Sequence, residues 1–301
     1  MKIFTHFSVD LDAVCSVWAA RQFIPGAADA TVEFRPANWD GDGMDAGDLA
    51  LDIEAGGMGL KGEKGDGGIV HSCLASIVAE HAAPADQAAL ASLVSFVDAQ
   101  DSRGSAVKFL VPGASADARE VLAMTGINAV LRAIQATHPR NDALVVERMS
   151  EIISGMLQAG RARQRAVDEA ARAEIVGGKV AIVRDSREFA TNGVLFEEHG
   201  VRVVVYVDGH NLGVIRHGDE SLRMDHPALA AVVEAAGETS EWFAHSAGFL
   251  FCRGSRKAPA ACASMVNPSE LARVAAKLIS AQSATGAIAD AATAARGRYC
   301  S

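Results

Sequence analysis

The stretch His6-Phe7-Ser8-Val9-Asp10-Leu11-Asp12-Ala13 places one imidazole and two carboxylates in a few consecutive positions. Two carboxylates that close in a tight turn repel each other unless a cation sits between them. Aspartate oxygens and an imidazole nitrogen suit Mn²⁺, and suit Mg²⁺ where nitrogen contributes less. A plainer role is available to one of them, since Asp10 or Asp12 could simply cap a helix. A cap accounts for one aspartate but not for two with a histidine ahead of them.

Such a turn needs rigid elements on either side. Lys2–Thr5 reads as a short buried strand, and an apolar helix runs from Ala13 to Phe23, closed by Pro25-Gly26. Thr31–Pro36 and Asp48–Ile53 read as two further strands, and helical patterns follow at Cys73–Glu80, Ala85–Ala99 and Ala116–Ala136. Alternating strands and helices predict a mostly parallel sheet with ligands at the carboxyl ends of its strands. From Asn141 to Ile175 a proline-free amphipathic pattern predicts a connecting helix. Its Arg161, Arg163 and Arg165 read as a solvated basic face.

Gly177-Gly178 stops that helix and a β-rich unit opens. Lys179–Arg184 and Val201–Val207 are β-branched runs, and Leu212–Arg216 reads as the hairpin partner of the second through Asp208-Gly209-His210-Asn211. Pro227–Ala236 is a predicted helix, Gly248–Cys252 a strand and Pro268–Ser280 a closing helix. The Ala-rich last twenty residues are either an extra packed helix or a frayed tail, and could mediate a homodimer. The expected fold class is α/β: a parallel-sheet N-terminal domain (1–140), a helical linker (141–177) and a smaller mixed α/β C-terminal domain (178–301).

Composition narrows the function. Half of the 301 residues are apolar, enough for a sizeable core, while aromatics make up only 5% and offer little stacking surface for nucleic acid. The formal net charge of -9 repels polyphosphate and duplex DNA. A small phosphorylated molecule is therefore the expected partner, and long nucleic acid is not. Cys15, Cys73, Cys252, Cys262 and Cys300 are scattered without a C-x-x-C pair, which excludes a zinc ribbon and a disulfide framework. No apolar run approaches the ~18 residues of a membrane span, and the first residues lack a signal peptide's apolar core. The expected location is cytoplasmic, away from membranes.

The segment from His6 to Ala13 resembles the first motif of the DHH phosphoesterase superfamily: a strand, then His-x-x-x-Asp-x-Asp-Ala, then a helix. That group includes family II pyrophosphatases, RecJ-like exonucleases, oligonucleotide-degrading phosphatases and exopolyphosphatases. Asp52 ends the apolar run Leu49-Ala50-Leu51, as the family's second-motif aspartate does, and Asp98 in Phe96-Val97-Asp98-Ala99-Gln100-Asp101 is similar to the fourth. The resemblance implies one metal held by His6, Asp10 and Asp52 and a second by Asp12, Asp52 and Asp98, with Asp101 outside the metal sphere. One or two Mn²⁺ or Mg²⁺ ions would then serve hydroxide attack on phosphorus.

The chain departs from the family in lacking the Asp-His-His triplet. A glycine-rich stretch, Gly56 to Gly68, stands there and ends at His71. Two roles are open to His71: replacing the missing ligand or acid, or starting a helix without touching metal. Lys61 and Lys64 either substitute electrostatically for one ion or ride on a surface loop. In the second domain Arg216 and Arg223 are candidate anion binders. Arg253, Ser255, Arg256 and Lys257 surround a Gly-Ser turn that is either a phosphate cradle or a basic turn facing water. The expected activity is metal-dependent hydrolysis of a nucleotide, short oligonucleotide or phosphate ester between the domains. The alternative is a nucleotide- or phosphate-binding regulatory protein without turnover.

Overall fold

The computed structural model describes residues 1–65, 68–186, 188, 190–218 and 222–297. The chain divides into two compact units, Met1–Arg161 and Ala162–Ser301.

In the first unit β1 (Lys2–His6) is the centre of a parallel sheet with β2 (Thr31–Arg35) on one side and β3 (Leu49–Ala50) on the other. Ile3, Phe4 and Thr5 are all buried, as expected of a strand covered on both faces. Ile3 and Leu51 join the main core while Phe4 and Ala50 join a smaller one with Ile53 and Ala55, so the pleat divides neighbours between the two faces. Between β1 and β2, α1 (Leu11–Phe23) is buried from Leu11 through Ala20. Its alanines and Cys15 let neighbouring helices approach closely.

β3 is shorter than the strand predicted over 48–53. After Leu51 bridges to Leu60, Asp52 turns the chain with φ 53°. The glycine-rich stretch read as a loop contains a hairpin, β4 (Glu63–Gly65) and β5 (Gly68–His71), whose backbone alone is described apart from His71. Five helices follow: α2 (Cys73–His81), α3 (Pro84–Arg103), α4 (Ala106–Leu110), α5 (Ala116–Thr125) and α6 (Ile127–Thr137). α3 opens on proline and closes on Gly104 at φ 68°, the usual punctuation of a helix.

The single helix predicted over Ala116–Ala136 is in fact α5 and α6, broken at Gly126. That residue is extended (φ -75°, ψ 168°) and precedes Ile127 as the cap of α6. The predicted connecting helix is α7 (Asp142–Ala170). Its expected last turn is instead the strand β6 (Glu174–Val176), whose Ile175 pairs with Ala181 on the strand that follows.

In the second unit β6 is joined by β7 (Val180–Arg184), β8 (Val203–Asp208), β9 (Asn211–Arg216), β10 (Phe243–Ala244) and β11 (Leu250–Arg253). Together they form a six-stranded sheet in the order β10-β11-β9-β8-β7-β6. β7 and β8 run parallel and the other neighbours antiparallel. The β8–β9 hairpin forms as predicted, Asp208 pairing with Asn211 across Gly209-His210. Val180 and Ile182 face a core shared with α9 (Pro227–Ala235) and α10 (Pro268–Gly297). Ala181 and Val183 face a second core with α8 (Thr191–Glu198), which contributes Val194 and Leu195, and with Ala166 and Ala170 of α7. The backbone of α10 continues unbroken to Gly297, so the described part of the Ala-rich end is helical. The fold class is therefore mixed α/β, with a parallel sheet in the first unit and a mixed sheet in the second.

Candidate metal centre

His6 is the last residue of β1, and Asp52 stands just past β3, its parallel neighbour. Both thus lie at the carboxyl end of the sheet, where ligands gather in open parallel sheets. Asp10 is the N-cap of α1, its Oδ1 accepting the Ala13 amide at 3.0 Å. It caps the helix and still faces His6. His6 Nε2 lies 3.2 Å from Asp52 Oδ2 and 3.8 Å from Asp10 Oδ1. One ligand atom from each of the three falls within 4.8 Å of the others, and among the described residues no other group of three such side chains does so.

The cluster is held by strain and by neighbours. Asp52 and Ser8 both adopt left-handed backbone (φ 53° and 56°), a conformation non-glycine residues seldom take and one that concentrates at functional sites. The β1–α1 turn is fastened by Asp142, whose carboxylate accepts the Ser8 amide at 3.0 Å and the Val9 amide at 3.4 Å. Gln135 adds a third tie by donating to Val9 O at 2.7 Å. Nothing in the local pattern around Asp142 or Gln135 signals this role.

His6 Nδ1 is 2.9 Å from the Phe7 carbonyl oxygen, so an N–H at Nδ1 leaves Nε2 facing the carboxylates. The facing carboxylates of Asp10 and then of Asp52 push the imidazole up to about 10, and burial pushes Asp52 upward from its ordinary value. The centre carries excess negative charge that a proton on His6 satisfies in part. A divalent cation would displace that proton from Nε2 and satisfy the charge further. The donor set of one imidazole and two carboxylates fits Mn²⁺ or Mg²⁺.

Asp12 and Asp98 are bonded to the start of α2. Asp12 is 2% exposed, and its oxygens accept the amides of Cys73 (2.8 Å) and Leu74 (2.9 Å) and the hydroxyl of Ser16 (3.1 Å). Burial, then the charge of Asp52, raise its carboxyl to about 7. Asp98 accepts the amide of Ser72 at 2.9 Å and its hydroxyl at 2.5 Å. Both carboxylates thus hold the start of α2. His71 is exposed, with Nδ1 3.7 Å from Asp98 Oδ2. Lys61 Nζ is 3.9 Å from Glu54, and its charge is a minor influence lowering Asp52. The side chain of Lys64 lies outside the described residues.

A cavity of about 500 Å³ adjoins the cluster, lined by Asp10, Asp12 and Asp101 together with Asn128 and Arg132 of α6. Burial, followed by the charges of Asp52, Asp10 and Asp98, raises the Asp101 carboxyl.

In the second unit Arg216 and Arg223 meet at one turn. Arg216 is 8% exposed, donates to Ala247 O at 3.4 Å and leaves Nε without a partner. Arg223 donates to Ser246 O at 3.2 Å and grips Asp225 with two hydrogen bonds, 2.9 and 2.6 Å. The 253–257 turn does not gather its charges. Arg253 is buried against Glu241, Glu238 and the Cys262 carbonyl, whereas Arg256 reaches Asp208 (3.4 Å) and Ser186 O (3.3 Å). Ser255 closes the turn on Ala258, and Lys257 is exposed.

No family model matches this chain, and no curated protein matches it. Among solved structures it is similar to RecJ from Thermus thermophilus in complex with Mg²⁺, at 13% identity over 92% of this chain and 49% of that one, with a TM-score of 0.27. The Mn²⁺ complex of the same protein gives 12% identity over 92% and 52%, with a TM-score of 0.27. An uncharacterized protein from Helicobacter pylori gives 10% identity over 90% and 96%, with a TM-score of 0.23. The chain spans about half the length of the RecJ structures. These likenesses are slight, and the case for the centre rests on its own geometry. Among the described residues no helix is long and apolar enough to cross a membrane.

Proposed function

We propose that this chain is a metal-dependent phosphoesterase that hydrolyses a small phosphorylated molecule, such as a nucleotide, short oligonucleotide or phosphate ester. The convergence of His6, Asp10 and Asp52 at the carboxyl end of the first sheet carries this reading. The first-motif resemblance supports it, because His6 and Asp10 are the residues which that motif would assign to a metal. A divalent cation held there, Mn²⁺ or Mg²⁺, would supply Lewis acidity toward a phosphoryl oxygen and toward water.

The chain's own part is positional. His6 offers Nε2 because Nδ1 is turned to Phe7 O, and Asp52 offers Oδ2 from a strained turn. Asp142 and Gln135 keep the loop carrying Asp10 from drifting. In the second unit Arg216, with its unpartnered Nε, and Arg223 are the anion-binding pair in this reading. The net charge of -9 leaves long nucleic acid a poor partner.

The test is phosphate release from a nucleotide, oligonucleotide and phosphoester panel by Mn²⁺-loaded protein, with loss of release in Asp52→Asn. A second reading has its own support: Asp12 and Asp98 are bonded to the start of α2, leaving donors for one ion in place of two. A one-ion site suits a phosphate-binding protein without turnover. A stable ligand complex with Mn²⁺ and no product would favour that reading, and a protein that takes up no metal would sink both.

A further inference from the structure

We infer that Arg132 and Asn128 of α6 form the oxyanion-binding wall of the cavity beside the metal centre, and that they select a phosphate monoester no larger than a mononucleotide. This assignment rests on the metal-dependent reading above and deepens it. α6 packs Ile127, Val130, Leu131 and Ile134 into the main core. Asn128, Arg132 and Gln135 follow at spacings of four and three and so share one stripe of the helix, which lines the cavity. The bond from Gln135 Nε2 to Val9 O, 2.7 Å, fixes that stripe against the loop bearing Asp10.

Asp10, Asp12 and Asp101 line the same cavity, and Arg132, exposed at its edge, forms no ion pair or hydrogen bond with any described residue. A guanidinium exposed at the edge of such a cavity and not engaged by its carboxylates is free to meet an anion. Its planar fork matches two oxygens of a phosphoryl group, and Asn128 adds an amide donor. A volume of about 500 Å³ falls among small-molecule sites. Nothing in the sequence marks Arg132, because the break at Gly126 sets the phase of α6.

The experiment is calorimetric titration of inorganic phosphate and of methyl phosphate into Mn²⁺-loaded wild type, Arg132→Ala and Arg132→Lys, with the Mn²⁺ content of each measured. Wild type is expected to bind methyl phosphate at least as tightly as inorganic phosphate. Arg132→Ala should weaken both by about tenfold or more, Arg132→Lys by less, and neither should lose metal. Unchanged phosphate affinity in Arg132→Ala overturns the assignment, as does loss of Mn²⁺ from that variant, which would make Arg132 structural. Exclusion of methyl phosphate by a wild type that binds inorganic phosphate overturns the monoester class, and binding of neither overturns the wall. A wild type that takes up no Mn²⁺ is a separate failure, that of the proposed function.

Discussion

Asp12, in the first turn of α1, accepts the backbone amide of Cys73 at 2.8 Å, so an acidic residue of one helix caps the start of another 61 positions away. Its second oxygen takes the Leu74 amide at 2.9 Å, satisfying two of the donors that every helix leaves open at its N-terminus. Asp12→Ala would strand both amides in a buried site and should cost about 2–4 kcal/mol. Asp12→Asn keeps one acceptor and should lose roughly half of that. Urea unfolding measures both. Mn²⁺ content decides the role, since an Asp12→Asn protein that keeps its ion has lost a cap and not a ligand.

Asp52 is the reverse case. Its backbone is left-handed and its carboxylate partly buried, two unfavourable features in one residue. Asparagine tolerates positive φ better than most residues and removes the buried charge. Asp52→Asn should therefore unfold at a temperature no lower than wild type without metal. Its affinity for Mn²⁺ should fall by ~100-fold or more, beyond what loss of an outer partner causes. A melting scan with and without Mn²⁺ reads both effects, and a metal-induced rise that survives in Asp52→Asn would remove Asp52 from the centre.

What could be read from the residues alone follows a physical divide. His6 and Asp52 were legible because a parallel sheet brings the ends of neighbouring strands together, and two short apolar runs announced those strands. Asp10 was legible as a cap, and it is one, its capping oxygen also standing 3.8 Å from His6 Nε2. Asp12 and Asp98 mark the divide: the sequence shows two carboxylates, and only the packing of α2 shows which amides reach them. Arg253 is similar: a basic turn in sequence, it lies against Glu238 and Glu241 because the strand register buries it. Asp142 and Gln135 were invisible, since their partners Ser8, Val9 and Val9 O are more than a hundred positions distant.

The Glu238–Arg253 pair, 3.7 Å apart, lends the second unit an acid dependence. Burial pushes the Glu238 carboxyl up, but hydrogen bonds from the Met265 amide (2.6 Å) and the Ser264 hydroxyl (2.6 Å) outweigh it, holding the carboxyl below the usual glutamate value. A depressed folded value means stability that is fully present above the unfolded value of ~4.3 and is lost as pH falls through the folded one. Glu238→Gln should be less stable than wild type by about 1–3 kcal/mol at neutral pH. The gap should close in acid below pH ~4. A constant gap from pH 7 to pH 3 in denaturant unfolding would show that the carboxylate's charge does not contribute.

Gly155 and Gly160 sit five residues apart on α7 and should answer the same substitution with opposite signs. Alanine at an unobstructed helical glycine ordinarily stabilises by about 0.5–1 kcal/mol, because it limits the unfolded chain and favours helix. A Cβ at Gly155 would meet nothing within 4 Å, so Gly155→Ala should follow that rule. At Gly160 a Cβ would lie 2.2 Å from the Ala89 carbonyl oxygen and 2.9 Å from its carbon, where α3 backbone crosses α7. Backbone cannot rotate away as a side chain can, so the helices must part. Gly160→Ala should destabilise by about 1–3 kcal/mol despite alanine's better helix propensity. Equal stabilisation of both variants in urea unfolding would mean that α3 and α7 do not approach as closely as these distances require.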